Sequence, residues 1–150
     1  MSELNECPDA VQTCSQLLME MKADFVGLAI QNETGPDVRW RYATGNLNDK
    51  YKRITVRYGK GIAGKVISSG SSMMITSFPQ QITGKTTDYP IMLAEKLVSS
   101  YAVPLFFNGV PKGVLLVGHR TEYMLSNEEQ QVIKKAALFL EEAIKIHNSL

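Results

Sequence analysis

Histidine and cysteine are scarce in this chain, and their scarcity removes most of the chemistry on which metal-binding and nucleophilic proteins rely. Only Cys7, Cys14, His119 and His147 occur in 150 residues. Two thiols fall short of a zinc or iron–sulfur ligand set. On a helix, Cys7 and Cys14 would share one face about 10 Å apart, too far for a disulfide. They read as reduced, partly buried thiols. The two histidines read as surface residues, one at a strand end and one near the tail of the last helix. No Ser/His/Asp or Cys/His set can be assembled and no Asp/Glu cluster points to acid–base work, so enzymatic activity is not expected.

Other absences narrow the class further. No apolar run approaches the roughly 20 residues needed to span a bilayer, so no membrane segment is expected. Charge of one sign is not in excess: 16 Lys and Arg stand against 15 Asp and Glu, for a net charge of +1. The basic residues are dispersed apart from a short patch at 50–53, which excludes the electrostatic footprint of a nucleic-acid binder. The first six residues are acidic and lack the basic-then-apolar order of a signal peptide, so a cytoplasmic location is expected. What remains, 44% hydrophobic and 21% charged residues, is the composition of a globular protein. The length suits one domain over residues 1–150, with a core from about 8 to 148.

Hydrophobic periodicity changes along the chain in an orderly way. Residues 8–22 carry Val11, Cys14, Leu17, Leu18 and Met21 at helical spacing. Residues 24–31 read as a central strand, and 38–44 as a second whose aromatic face presents Val38, Trp40 and Tyr42. Gly35-Pro36 marks the turn between them. A polar loop follows at 45–51, then a short strand at 54–57. Residues 73–76 read as a third buried strand. Residues 89–97 read as a helix with Asp88 as N-cap and Pro90 in its first turn, where a missing N–H costs nothing. Pro104 within the strand 99–107 signals a kink or bulge. Asn108-Gly109 is a strong hairpin signal leading into a partner strand at 112–119. Ser126 and Glu129 form a capping box for a long helix to about 147, whose packing stripe is expected at Val132, Ile133, Ala136, Leu140 and Ile144. Leu138 and Phe139 fall off that stripe. These elements assemble as an α+β fold: an antiparallel sheet with terminal helices on one face and two short inner helices roofing a pocket on the other.

The glycine-rich run at 59–70 is the most informative motif. Its glycines open a helix with the apolar stripe Ile62, Val66 and Ile67, and Gly70 stands at the C′ position. Small residues at 61, 63 and 64 let the first turn approach another object closely. That turn carries unpaired N–H groups and the positive end of the helix dipole, which suit an anion or polarised ligand atom. The same residues also suit a tight turn packing a helix on a sheet, so the motif alone leaves both readings open.

With residues 100–105 (Ser-Tyr-Ala-Val-Pro-Leu), Asn108-Gly109 and Gly113-Val114-Leu115 following in order, this run resembles the GAF family of small-molecule sensory domains. The resemblance covers roughly residues 8–148. It implies the fold above, and family members take diverse ligands or none. A bilin domain or a methionine sulfoxide reductase of this fold needs pocket cysteines, whereas both cysteines lie in the N-terminal helix. A haem site needs an axial ligand that neither histidine is placed to give. The residue set of the cyclic-nucleotide subgroup cannot be located here.

The chain is similar to free-standing nitrate receptors of this family that act in a nitrate- and oxygen-responsive two-component system. That resemblance implies a nitrate pocket at Trp40, Ile62, Ala63, Tyr89, Pro90 and Ile91, with no cofactor or metal, and a sensor histidine kinase as partner. Surplus apolar residues on the terminal helices are compatible with a homodimer. The alternative is a GAF module that binds another small ligand or acts only as a dimerising domain. Trp40 also fits simple core packing, and Tyr89 a helix-entry staple.

Overall fold

Residues 3–148 are described by the structure, a computed structural model of the chain. The reading of an acidic N-terminus rests in part on Met1 and Ser2, which lie outside the described residues. Helix α1 (Pro8–Glu20) precedes the hairpin strands β1 (Phe25–Gln31) and β2 (Asp37–Thr44). Strand β3 (Thr55–Arg57), helix α2 (Gly61–Ser69), strand β4 (Met73–Ile75) and helix α3 (Pro90–Ala94) follow. A second hairpin, β5 (Ser99–Phe107) and β6 (Val110–His119), leads into α4 (Asn127–Asn148). All six strands form one antiparallel sheet in the order β3-β2-β1-β6-β5-β4.

Strand β1 lies at the middle of this order and is buried along nearly its whole length. Its alternate residues feed two separate apolar layers. Val26, Leu28 and Ile30 pack with α1 and α4 through Cys14, Leu17, Ile133, Leu140 and Ile144. Phe25 and Ala29 pack on the opposite side with Ile62, Val66, Ile67, Ile91 and Met92 of α2 and α3. The period-2 alternation of a strand produces this division, and the expected arrangement of terminal and inner helices on opposite faces is the one observed.

Local signals were obeyed where one interaction decided the outcome. Ser126 and Glu129 exchange their capping hydrogen bonds at 2.9 and 3.1 Å. Asn108 and Gly109 both adopt positive φ, 54° and 78°, as the tight hairpin demands. The register of β5 shifts between Leu105 and Phe106, directly after Pro104. Gly70 closes α2 in the left-handed conformation.

Tertiary context moved other elements. The pairing of β1 with β2 slips between Leu28↔Tyr42 and Ala29↔Trp40, leaving Arg41 as the extra residue of a bulge. The slip resets the alternation, so Tyr42 packs with the terminal-helix layer while Val38 and Trp40 face the inner helices. The single aromatic face expected of this strand is therefore divided. Strand β4 is an edge strand, with Met73 and Met74 only half-buried, rather than a buried one. The expected polar loop at 45–51 ends in a 3-10 turn (Lys50–Arg53) that buries Tyr51.

Helix α3 is shorter than residues 89–97, because Lys96 takes a positive φ of 54° and turns the chain. Asp88 does not cap it. Its carboxylate accepts the Lys85 N–H at 3.0 Å, within the preceding 3-10 turn (Thr86–Asp88). On α4 the buried stripe is Ile133, Ala137, Leu140 and Ile144, rotated from the expected one so that Val132 is exposed and Ala136 only half-buried. His119 is buried rather than superficial, with Nε2 3.0 Å from the Met21 carbonyl and its ring stacked on Tyr123.

Cys7 and Cys14 are free thiols and both buried, more deeply than expected. Burial pushes the Cys14 thiol up from 9.0 to about 12, since the thiolate would lose its hydration there. The folded state thus keeps a proton that the unfolded chain releases, and the associated stability is lost as pH rises from about 9 towards 12. Replacing Cys14 by alanine removes that component. The stability advantage of the natural chain over Cys14→Ala, from urea unfolding, should shrink by up to about 1.4 kcal/mol per pH unit across this range. A pH-independent difference would mean a solvated thiol.

Candidate functional site

The inner face of the sheet converges on the two short helices. Trp40 projects from β2 opposite Ala29, and Gly27 leaves room for it: a Cβ at Gly27 would come within 3.1 Å of the indole Cζ3. Helix α2 descends onto this floor. Its approach is possible only because position 64 is glycine, where a Cβ would stand 2.2 Å from the Arg57 carbonyl oxygen. At its start, a Cβ at Gly61 would lie 3.0 Å from Val56 and 3.7 Å from the Asp88 carbonyl. The beginning of α2 therefore abuts the segment that leads into α3.

Five of the six residues expected to form the pocket, Trp40, Ile62, Ala63, Tyr89 and Ile91, belong to one buried apolar cluster. Pro90 is half-buried at its rim, at the first position of α3. Lys60, the N-cap of α2, has extended backbone and no side chain closes the helix start. The N–H groups of Ile62 and Ala63 find no acceptor among the described residues, although the two residues are 2% and 1% exposed. Buried donors without a partner are costly, so this turn is suited to an acceptor supplied from outside the chain.

Tyr89 is held on three sides. Its hydroxyl donates to the Thr83 carbonyl at 3.1 Å, and its ring meets Phe78 edge-on at 5.9 Å between centroids. The Lys65 ammonium lies 3.3 Å from the hydroxyl and 5.1 Å from the ring centroid. Lys65 stands one helical turn beyond the start of α2, which brings its charge onto Tyr89. A cleft of about 440 Å³ opens over both helix starts, lined by Arg57, Lys60 and Lys65 among others, with Asp88 as its acidic member. Arg57 was not singled out from the sequence, because its strand and the glycine run meet only through the fold.

A GAF-domain family model matches residues 7–145. The chain belongs to the GAF family. No curated protein matches it in sequence. Among solved structures, a hypothetical protein of Staphylococcus aureus shares 33% identity over 77% of this chain and 96% of its own, with a TM-score of 0.71. A NreA protein from S. aureus, mutated in its nitrate-binding site, shares 30% identity over 84% of this chain and 96% of its own, with a TM-score of 0.74. The free methionine-R-sulfoxide reductase of Neisseria meningitidis matches 89% of this chain and 74% of its own at a TM-score of 0.73, but at 18% identity it carries the fold alone. Membership of the family and NreA-like neighbours support a small-ligand-binding signalling domain.

Beneath α3 this GAF domain contains a polar network that sequence reasoning missed. Glu95 is fully buried. Its Oε1 accepts from the Leu47 N–H at 2.8 Å and from Arg120 Nη2 at 2.9 Å, while Oε2 is buried without a partner. Arg120 also donates through Nε to the Glu95 carbonyl, and through Nη1 and Nη2 to the carbonyls of Asp24 and Gly45. The only hint in the sequence was a carboxylate inside an apolar helical stretch.

Removing the arginine would strand a buried carboxylate. Arg120→Ala should cost about 3–5 kcal/mol in chemical denaturation. Asp49→Ala, which removes the exposed 4.0 Å pair with Lys52, should cost under about 1 kcal/mol. Equal losses would mean that Glu95 is solvated.

Proposed function

We propose that this GAF domain is a non-catalytic receptor for a small planar monoanion, nitrate, and that it acts on a sensor histidine kinase. The observation that carries the reading is the buried, uncapped first turn of α2, whose Ile62 and Ala63 N–H groups lie in the same cluster as Trp40, Tyr89 and Ile91. Helix-start N–H groups supply partial positive charge to an anion. Nitrate is weakly hydrated, so moving it into an apolar cup costs far less than moving a doubly charged oxyanion. Arg57, Lys60 and Lys65, which line the cleft over the two helix starts together with Pro90, concentrate anions there. The 30% identity to NreA, a protein with a nitrate-binding site, supports the ligand, and the kinase partner rests on the family resemblance alone.

The non-catalytic reading is supported by the position of the thiols. Cys7 and Cys14 belong to the α1–α4 layer, across the sheet from the pocket, so the sulfur exchange of a methionine sulfoxide reductase has no nucleophile at this site. A cytoplasmic location is part of the same proposal, and no helix among the described residues is long and apolar enough to cross a membrane.

Calorimetric titration with nitrate, sulfate and a panel of 2-oxo acids tests the assignment. Saturable heat is expected with nitrate and none with sulfate. Ile62→Trp should abolish the nitrate signal by filling the cup. Lys65→Met should weaken binding by less than about tenfold, because a half-buried ammonium is screened. Saturation by a 2-oxo acid, with no response to nitrate, would redirect the assignment to a carboxylate ligand.

A further inference from the structure

Strand β3 ends the sheet, and part of its outer edge is open. Antiparallel ladders alternate residues that bond to the neighbouring strand with residues that do not. The Trp40 N–H reaches the Ile54 carbonyl at 3.4 Å and the Tyr58 N–H the Pro36 carbonyl at 3.0 Å, so residues 54, 56 and 58 turn their backbone groups towards β2. Thr55 and Arg57 turn theirs away. The Arg57 carbonyl accepts from the Lys60 N–H at 2.8 Å. That leaves the N–H and C=O of Thr55 and the N–H of Arg57 without a partner among the described residues. Both residues are exposed, and the cleft of about 440 Å³ borders all three residues of the strand.

Charge around this edge is almost entirely of one sign. Residues 39–65 hold eight of the chain's 16 Lys and Arg but one acid, Asp49, which lies 4.0 Å from Lys52. Arg39 stands opposite Thr55, so Arg39 and Arg57 share the face away from the half-buried Val56. Arg53 precedes the strand and Lys60 follows it. The side chains of these four residues are exposed and make no hydrogen bond or ion pair among the described residues.

We propose that β3 is the docking edge for an extended acidic segment of a partner protein, which adds to the sheet as a further strand. Backbone pairing supplies the bonds in this mode of recognition, and alternate side chains supply selectivity. Positive charge at an edge bars pairing with the same edge of a second copy and selects an acidic chain. The phosphates of a nucleic acid only accept hydrogen bonds, whereas the Thr55 carbonyl requires a donor, which a peptide backbone provides. The seat does not depend on which anion the pocket holds.

Fluorescence anisotropy with a labelled octapeptide of alternating glutamate and valine tests this on the full chain. Saturable binding is expected, weakened by about tenfold or more when alternate peptide nitrogens are methylated or when lysine replaces glutamate. The Thr55 and Arg57 amides should exchange freely in the protein alone and become protected in the complex. Thr55→Pro removes an outward N–H that β2 does not use, a change that an edge strand tolerates. It should abolish peptide binding while circular dichroism and the melting temperature stay unchanged. Arg39→Glu, which leaves the backbone alone, should weaken binding by about tenfold or more. No binding at millimolar peptide would overturn the proposal. So would equal binding of the methylated peptide, or oligothymidylate that displaces the peptide and leaves both amides unprotected, which would make the edge a polyanion surface.

Discussion

Both faces of β1 are buried, and the rest of the molecule answers that constraint. A strand that is apolar on two sides cannot stand at the surface of a one-sided sheet, so the sheet must be covered twice. The chain meets one requirement with its two longest helices, at its ends, and the other with two short helices inserted between strands. The short helices α2 and α3 bury six and two residues, as many together as the three and five of α1 and α4, and the start of α2 lies beside the segment that leads into α3. A helix inserted to cover the sheet thus starts, uncapped, beside the entry to its neighbour.

The covers are joined by hydrogen bonds as well as by the sheet. Glu95, just past α3, is tied through Arg120 to Asp24 and Gly45 at the ends of β1 and β2. The residue before Arg120, His119, reaches the Met21 carbonyl at the end of α1. Its ring stacks on Tyr123, whose hydroxyl donates to Glu129 in the first turn of α4 at 2.7 Å. That bond helps hold the Glu129 carboxyl below its usual range, behind the larger effect of the Ser126 N–H. One short stretch of chain therefore contacts the roof helix and both terminal helices.

Much of the architecture was legible in the sequence. The elements read correctly are those fixed by a local interaction or a long period: α1, β1, the Asn108-Gly109 hairpin, the capping box of α4 and the left-handed stop at Gly70. The assignment of inner and terminal helices to opposite faces followed from the same patterns. Features set by contacts remote in sequence escaped. No periodicity announces the bulge at Arg41, which sends Tyr42 to the other face. The buried stripe of α4 runs through Ala137 and leaves Val132 exposed and Ala136 half-buried. Glu95 and Arg120 stand 25 residues apart, and nothing local couples them. Trp40, Ile62, Ala63, Tyr89 and Ile91 share the inner apolar layer, while the contact of Lys65 with Tyr89 depends on where the fold sets α2.

Amide chemical shifts followed by nuclear magnetic resonance during a nitrate titration test the central claim most directly, because they observe the proposed donors themselves. The N–H signals of Ile62 and Ala63, together with the Trp40 indole N–H, are expected to move first and furthest and to saturate together. They should stay fixed when chloride or sulfate replaces nitrate. Nitrate-dependent shifts confined to the exposed lysines of the cleft, with the Ile62 and Ala63 amides unmoved, would contradict a site built on the start of α2.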